Sequence, residues 1–274
     1  MRKIKRANPL INIFLIILAV LTFYPLFFTL MTSFKDNEQF YTRFWSLPNP
    51  IIWGNHLTAF IELFPFIVNS VIITTSSIVG ILITTSLSAY AFARLRFPCK
   101  EIIYMVILAL LMIPSLLQLI PQFIILRDLN LLNTYTGIII GYIAGHQAFS
   151  IFIIRTFFDA QPKELFEAAR IDGCSEIKTY YHIALPLIKP ILSTVAIMTL
   201  LAMWNDFLWP LIVASDPDMM PVALGLLRYT RTFQVVQYGP MFAAFFVASL
   251  PLIILFLFLM RSFVEGLTTG AVKA

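Results

Sequence analysis

Residues 164–186 read ELFEAARIDGCSEIKTYYHIALP, from Glu164 to Pro186. This is a polar, helix-forming stretch inside an otherwise apolar chain. Pro162 suits the first turn of a short helix, where its missing N–H costs nothing. Glu164 and Glu167 complement the positive end of that helix. Leu165, Ala168, Ala169 and Asp172 follow at three- and four-residue spacings and predict one small, apolar-edged face. Gly173 supplies the left-handed stop. The adjacent alanines give a low-relief surface that another backbone could approach closely. Helix rules alone leave two readings open: a plug for a partner's groove, or an ordinary loop helix.

The rest of the chain is oily. Of 274 residues, 59% are hydrophobic and 12% charged, and the mean hydropathy is +0.87. Soluble domains carry about 25% charge, so the composition predicts a polytopic, all-α membrane protein. The net charge is +5. Its distribution over the loops accounts for it without nucleic acid. Cys99 and Cys174 have no metal-ligand spacing around them and read as free thiols. His56, His146 and His182 are scattered and make no zinc constellation. The chain contains no Gly-Lys pair, so it does not bind ATP through a P-loop.

Six apolar stretches are long enough to cross a hydrocarbon core of about 30 Å. They run over roughly 10–31, 67–93, 102–126, 134–157, 187–213 and 241–260. The first follows the basic residues Arg2, Lys3, Lys5 and Arg6 and reads as an uncleaved span. An even number of spans puts both termini on one side. That side carries 14 of the Lys and Arg residues and the other 5, so the positive-inside rule places both termini and segment 158–186 in the cytoplasm. The outer loop 33–65, with Trp45 and Trp53, predicts short interfacial pieces.

Within the spans, Gly137, Gly141 and Gly145 recur every fourth residue and predict close helix packing. Pro114 and Pro121 should break or kink the third span. Gln118 and Gln122 beside them either line a polar path or bond between helices. Trp204, Asn205 and Asp206 sit in the outer half of the fifth span, where an acidic group is costly unless it faces a cavity or a partner. They either contact a sugar, through hydroxyl hydrogen bonds and ring stacking, or tie helices together. Asn69-Ser70 leans towards structure, and His146 reads as a packing residue.

Glu167-Ala168-Ala169, three residues, Gly173, nine residues, then Ile183-x-Leu185-Pro186 resembles the EAA loop of ABC importer permeases. Asn69-Ser70, Tyr90-Ala-Phe-Ala-Arg94, Trp204-Asn205-Asp206 and the ending from Gly266 to Lys273 resemble the sugar-importing branch, nearest the smaller permease of maltose- and glycerol-phosphate-type systems. Cys174 stands where Ala or Ser is commoner in that family. The resemblance implies a type I importer fold in a bacterial or archaeal cytoplasmic membrane. It also implies a second permease, an ATPase pair that binds ATP and Mg, and an extracytoplasmic solute-binding protein. This chain would itself carry no cofactor, metal or catalytic residue. Glu164, Glu167, Ala168, Ala169, Asp172, Gly173, Leu185 and Pro186 would then couple it to the ATPase. The expected organisation is an arm over 1–66, a permease core over 67–262 and a cytoplasmic tail over 263–274. The competing readings are an importer of a non-sugar solute and a stand-alone secondary transporter. The latter would need intramembrane ion ligands, and usually repeats, that the sequence does not display.

Overall fold

The structure, a computed structural model, describes residues 9–232 and 236–271, with side chains except at 231–232 and 258–271. The basic residues of 1–8, and Lys273, therefore lie outside the described residues. Every regular element among the described residues is helical. Four helices there are long and apolar enough to cross a membrane, or up to six if each of two bent helix pairs forms one span.

The chain divides into two compact units, one of residues up to Phe64 with Leu226–Leu252, the other of Pro65–Gly225 with the chain from Ile253 onward. In the first unit, α1 (Pro9–Ser33) leads to the short α2 (Asn37–Thr42). Asp36 caps α2 by accepting from the Gln39 N–H at 2.7 Å. The loop expected over 33–65 is shorter than that, because α3 already begins at Gly54 and runs to Arg94 through Pro65. What remains of it is firmly tied. Lys35 is 2% exposed, and its ammonium donates to the carbonyls of Phe44 at 2.8 Å and Arg43 at 3.2 Å. Burial pushes that ammonium below its ordinary pKa. Asn37 bonds Val236 O and Tyr238 N, each at 2.9 Å, and Phe40 stacks on Tyr238 with centroids 4.0 Å apart.

α13 runs from Tyr238 to Ala271. The tail expected to start at residue 263 is thus helical through Ala271. No proline follows Pro251 within the helix.

The second unit holds most of the helices: the rest of α3, then α4 (Lys100–Ala109), α5 (Ser115–Asp128), α6 (Tyr135–Asp159), α7 (Glu164–Ile171), α8 (Glu176–Thr179), α9 (Leu185–Leu187), α10 (Lys189–Asn205) and α11 (Leu208–Val213). α12 (Val222–Thr232) starts there. A turn of 3-10 helix, Leu110–Met112, extends α4, and the chain then bends by 107° into α5. Pro114 causes this. It forces Ile113 into an extended conformation (φ −83°, ψ 118°) and offers no N–H to continue the ladder. Pro121, expected to break the span as well, lies inside α5.

The fifth span is not continuous either. The helical run Glu176–Leu187 bends by 72° into α10, and α10 stops at Asn205 before α11 begins. α6 matches its expected bounds within a residue or two, with Thr134 as N-cap to the Gly137 N–H at 3.0 Å.

Buried hydroxyls in these helices mostly bond back one turn. Thr74 donates to Ser70 O at 2.7 Å, Thr85 to Ile81 O at 2.6 Å and Thr199 to Val195 O at 2.8 Å. With no water in the hydrocarbon core to bond them, these hydroxyls turn to the ladder's own carbonyls.

Candidate functional site

Segment 158–188 folds as a docked bracket. α7 closes with paired bonds at its end: the Gly173 N–H donates to Arg170 O at 3.1 Å and the Cys174 N–H to Ala169 O at 2.9 Å. Gly173 takes φ +75°, the left-handed position this motif needs. Pro162 is not in the first turn. It precedes α7 by two residues, in the connector that leaves α6, and Lys163 takes the N-cap position.

The paired alanines are also split. Ala169 turns inward and is 4% exposed, whereas Ala168 faces out with Glu164, Leu165, Glu167, Ile171 and Asp172. Phe166, at 2% exposure, decides the orientation. It is the larger apolar group, and Ala169 lies on its face three residues later. Leu185 is half-buried against the same core and Pro186 is exposed.

The inner face of the bracket is tied to the ends of α3 and α6. The Arg94 guanidinium lies 4.2 Å over the Phe166 ring. It also donates to Phe158 O, and to Gln161 O at 3.0 Å. Arg170 donates to Glu176 at 2.9 Å and to Arg94 O at 3.2 Å. The hydrogen bond it donates to Glu176 holds the Arg170 guanidinium above its ordinary pKa. Tyr90 donates to the other Glu176 oxygen at 2.7 Å, and Ser86 and Tyr180 share a 2.7 Å hydroxyl contact. A π-helical turn, Tyr180–Ala184, brings Tyr180 and Ala184 into this core. Sequence reasoning missed Phe166, Arg170 and Glu176. The signal was present, as an Arg and a Glu placed either side of the glycine stop.

One face is fixed to long apolar helices, and the other leaves three carboxylates and two large apolar side chains exposed.

A second feature lies at the break between α10 and α11. A cavity of about 380 Å³ is lined by Ser115, Leu116, Leu119, Tyr142, His146, Ala202, Asn205, Asp206, Leu208 and Trp209. Asn205 and Asp206 thus face open space, as one of their two readings required. Trp204, 5% exposed, does not line it. Gln118 and Gln122 do not line it either. Gln118 donates to Ile113 O at 3.3 Å, a carbonyl freed by the Pro114 break. Asp206 also has a structural task. Its Oδ1 accepts from the N–H groups of Leu208 at 2.9 Å and Trp209 at 3.4 Å, which restarts the helix. His146, expected as packing, is on the wall.

The glycine series separates on inspection. A Cβ at Gly141 would run into the Trp209 ring, one at Gly137 would meet the Leu131 carbonyl, and one at Gly145 would meet nothing. Gly141 alone of the three brings two helices together. The spacing of four predicted a stripe, but α11 is too short to follow it. Asn69 proves structural, as expected: it donates to Asp218 O at 2.8 Å and Met220 O at 3.0 Å and accepts from Tyr135 at 2.8 Å.

A chain whose described elements are all helical, with apolar spans and a polar bracket fixed to their ends, has the form of an integral membrane protein. The chain belongs to the family described as the binding-protein-dependent transport system inner membrane component, whose model matches residues 85–269. It is 30% identical over 273 residues to the diacetylchitobiose uptake system permease protein NgcG of Streptomyces coelicolor, covering 98% of this chain and 90% of that protein. It is 32% identical over 266 residues to the sn-glycerol-3-phosphate transport system permease protein UgpE of Yersinia pestis, covering 93% and 94%. A solved bacterial ABC transporter involved in the import of the acidic polysaccharide alginate shares the fold, with TM-score 0.82 and 22% identity over 95% of this chain and 99% of that one.

Proposed function

We propose that this chain is one of two permease subunits of an ATP-driven importer that takes a carbohydrate across the cytoplasmic membrane. Its six spans, counting each bent pair as one, leave both termini and α7 in the cytoplasm. The 14-to-5 division of basic residues supports that orientation. An extracytoplasmic binding protein delivers the solute. A separate ATPase pair binds ATP and Mg and closes on the exposed face of α7. Glu164, Glu167 and Asp172 suit a basic groove, and Leu165, Ala168 and Ile171 suit its apolar floor. Because Phe166, Ala169 and Arg170 hold α7 to α3 and α6, force on the outer face reaches the spans as rigid-body motion. Gly173 and the Leu185-Pro186 end shape the return of the chain.

The observation that carries this reading is the two-sidedness of α7: an inner face tied to α3 and α6, and an exposed acidic and apolar outer face. Relatives named for diacetylchitobiose and glycerol-3-phosphate uptake support a polyhydroxylated solute.

The test is co-purification from the native membrane, with and without Glu167→Lys. The reading expects an ATPase, a second permease and a binding protein with the unaltered chain, and loss of the ATPase with the variant. A chain that emerges alone and moves solute without ATP after reconstitution would replace it with a secondary transporter.

A further inference from the structure

The cavity at the α10–α11 break has the chemistry of a ligand site. At about 380 Å³ it lies within the range of small-molecule sites, about 300–1,000 Å³. Tyr142 is 6% exposed and lines it, and its hydroxyl meets no protein acceptor in hydrogen-bond geometry, although Asp206 lies close by. A buried hydroxyl left in that state costs free energy that a ligand can recover. Tyr142, His146 and Asp206 all line this cavity, so the three groups converge on one space. Asp206 spends Oδ1 on the backbone of α11, which leaves Oδ2 to accept from a ligand hydroxyl. Asn205 and Ser115 add polar groups at the wall, while Trp209, Leu116 and Leu119 supply apolar surface for the C–H face of a ring. No Lys or Arg is among the lining residues, so a phosphate or carboxylate would meet Asp206 without a counter-charge.

We propose that this cavity is a sugar-binding station on the translocation path, with Tyr142, His146 and Asp206 as its hydrogen-bonding groups, and that it admits uncharged carbohydrate and rejects anionic solutes. The proposal deepens the importer reading and rests on it. It separates this chain from what the names of the glycerol-3-phosphate relative and the acidic-polysaccharide importer would suggest. Ligand hydroxyls take the open Tyr142 and Asp206 valences, and the ring lies on the apolar wall.

The experiment uses the complete importer in proteoliposomes, with Cys99 and Cys174 replaced by Ser and Ala202→Cys placed on the cavity wall. ATP-driven uptake is measured first for diacetylchitobiose, maltotriose, glycerol-3-phosphate and galacturonate. Maleimide labelling of position 202 is then timed with each solute present. The station predicts that a transported neutral sugar slows labelling at least about fivefold and that the two anions leave it unchanged. Tyr142→Phe should restore the unprotected rate. So should Asp206→Asn, which keeps an oxygen for the α11 cap. Protection by an anion as strong as that by the sugar overturns the charge rule. A transported sugar that leaves labelling untouched overturns the station while the importer stands. Absence of uptake of all four solutes counts against the carbohydrate importer itself, and the station falls with it.

Discussion

Phe166→Ala should undock α7 without removing the chain from the membrane. The Phe166 side chain is 2% exposed, beneath the Arg94 guanidinium and beside Tyr90. Truncating a phenylalanine buried to this degree costs about 3–5 kcal/mol. Loss of the stacked cation adds about 0.5–2 kcal/mol. Taking about 4 kcal/mol, and about 1.4 kcal/mol per tenfold, the docked population falls roughly a thousandfold against the undocked one. α7 has 8 residues, well short of the 12–15 or so an isolated helix needs, so once undocked it melts.

Hydrogen exchange reads this directly. The amides of Asp172, Gly173 and Cys174, bonded to Ala168, Arg170 and Ala169, should lose up to about three decades of protection. ATP-driven uptake should collapse at normal subunit levels, while ATP hydrolysis no longer responds to solute. Phe166→Leu, which keeps most of the apolar burial, should lose only about 1–2 kcal/mol and retain partial uptake. Unchanged exchange and uptake in Phe166→Ala would refute the argument that burial of this one ring fixes the bracket.

Asn69→Ala removes bonds to Asp218 O and Met220 O and the acceptor for Tyr135. A cost of about 1–3 kcal/mol should appear as a lower thermal unfolding midpoint of the purified subunit. For Arg170 and Glu176, whose side chains are 43% and 44% exposed, a double-mutant cycle on α7 protection should give a coupling of no more than about 1 kcal/mol. Because the Arg170 pKa is raised, that coupling is fully present below the ordinary guanidinium value and is lost only above the raised one. Protection should therefore be flat from about pH 6 to about pH 9, and a base-induced loss in that window would contradict the assignment. Gly141→Ala drives a methyl into the Trp209 ring, so about 1–3 kcal/mol of overpacking should lower stability and disturb the cavity wall; Gly145→Ala, with open space around it, should do neither.

The residues themselves determined the class of fold. A chain that is 59% hydrophobic must bury or shed its backbone polarity in helices, so the approximate positions of the apolar stretches could be read directly. The stop at Gly173 was equally legible, because it follows from the local geometry of one residue; of the two prolines expected to break or kink the third span, only Pro114 interrupts the helix, and Pro121 lies inside α5. The start of α3 at Gly54 and the extension of α13 to Ala271 were not legible, since Pro65 in the one and Gly266 and Gly270 in the other are residues that often end helices and here do not.

Tertiary structure alone decided which way α7 faces. Helical spacing grouped Ala168 with Ala169, and only the pocket beneath Arg94, assembled from the ends of α3 and α6, selected Phe166 and Ala169 as the inner pair. Likewise Asp206 was visible as a costly charge. The cavity that makes room for it exists because α10 stops at Asn205 and α11 restarts across the gap, bringing Tyr142 and His146 from α6 to the same wall. Periodicity reports one element's faces. Which face meets which neighbour depends on contacts between residues far apart in the chain, and no local pattern encodes them.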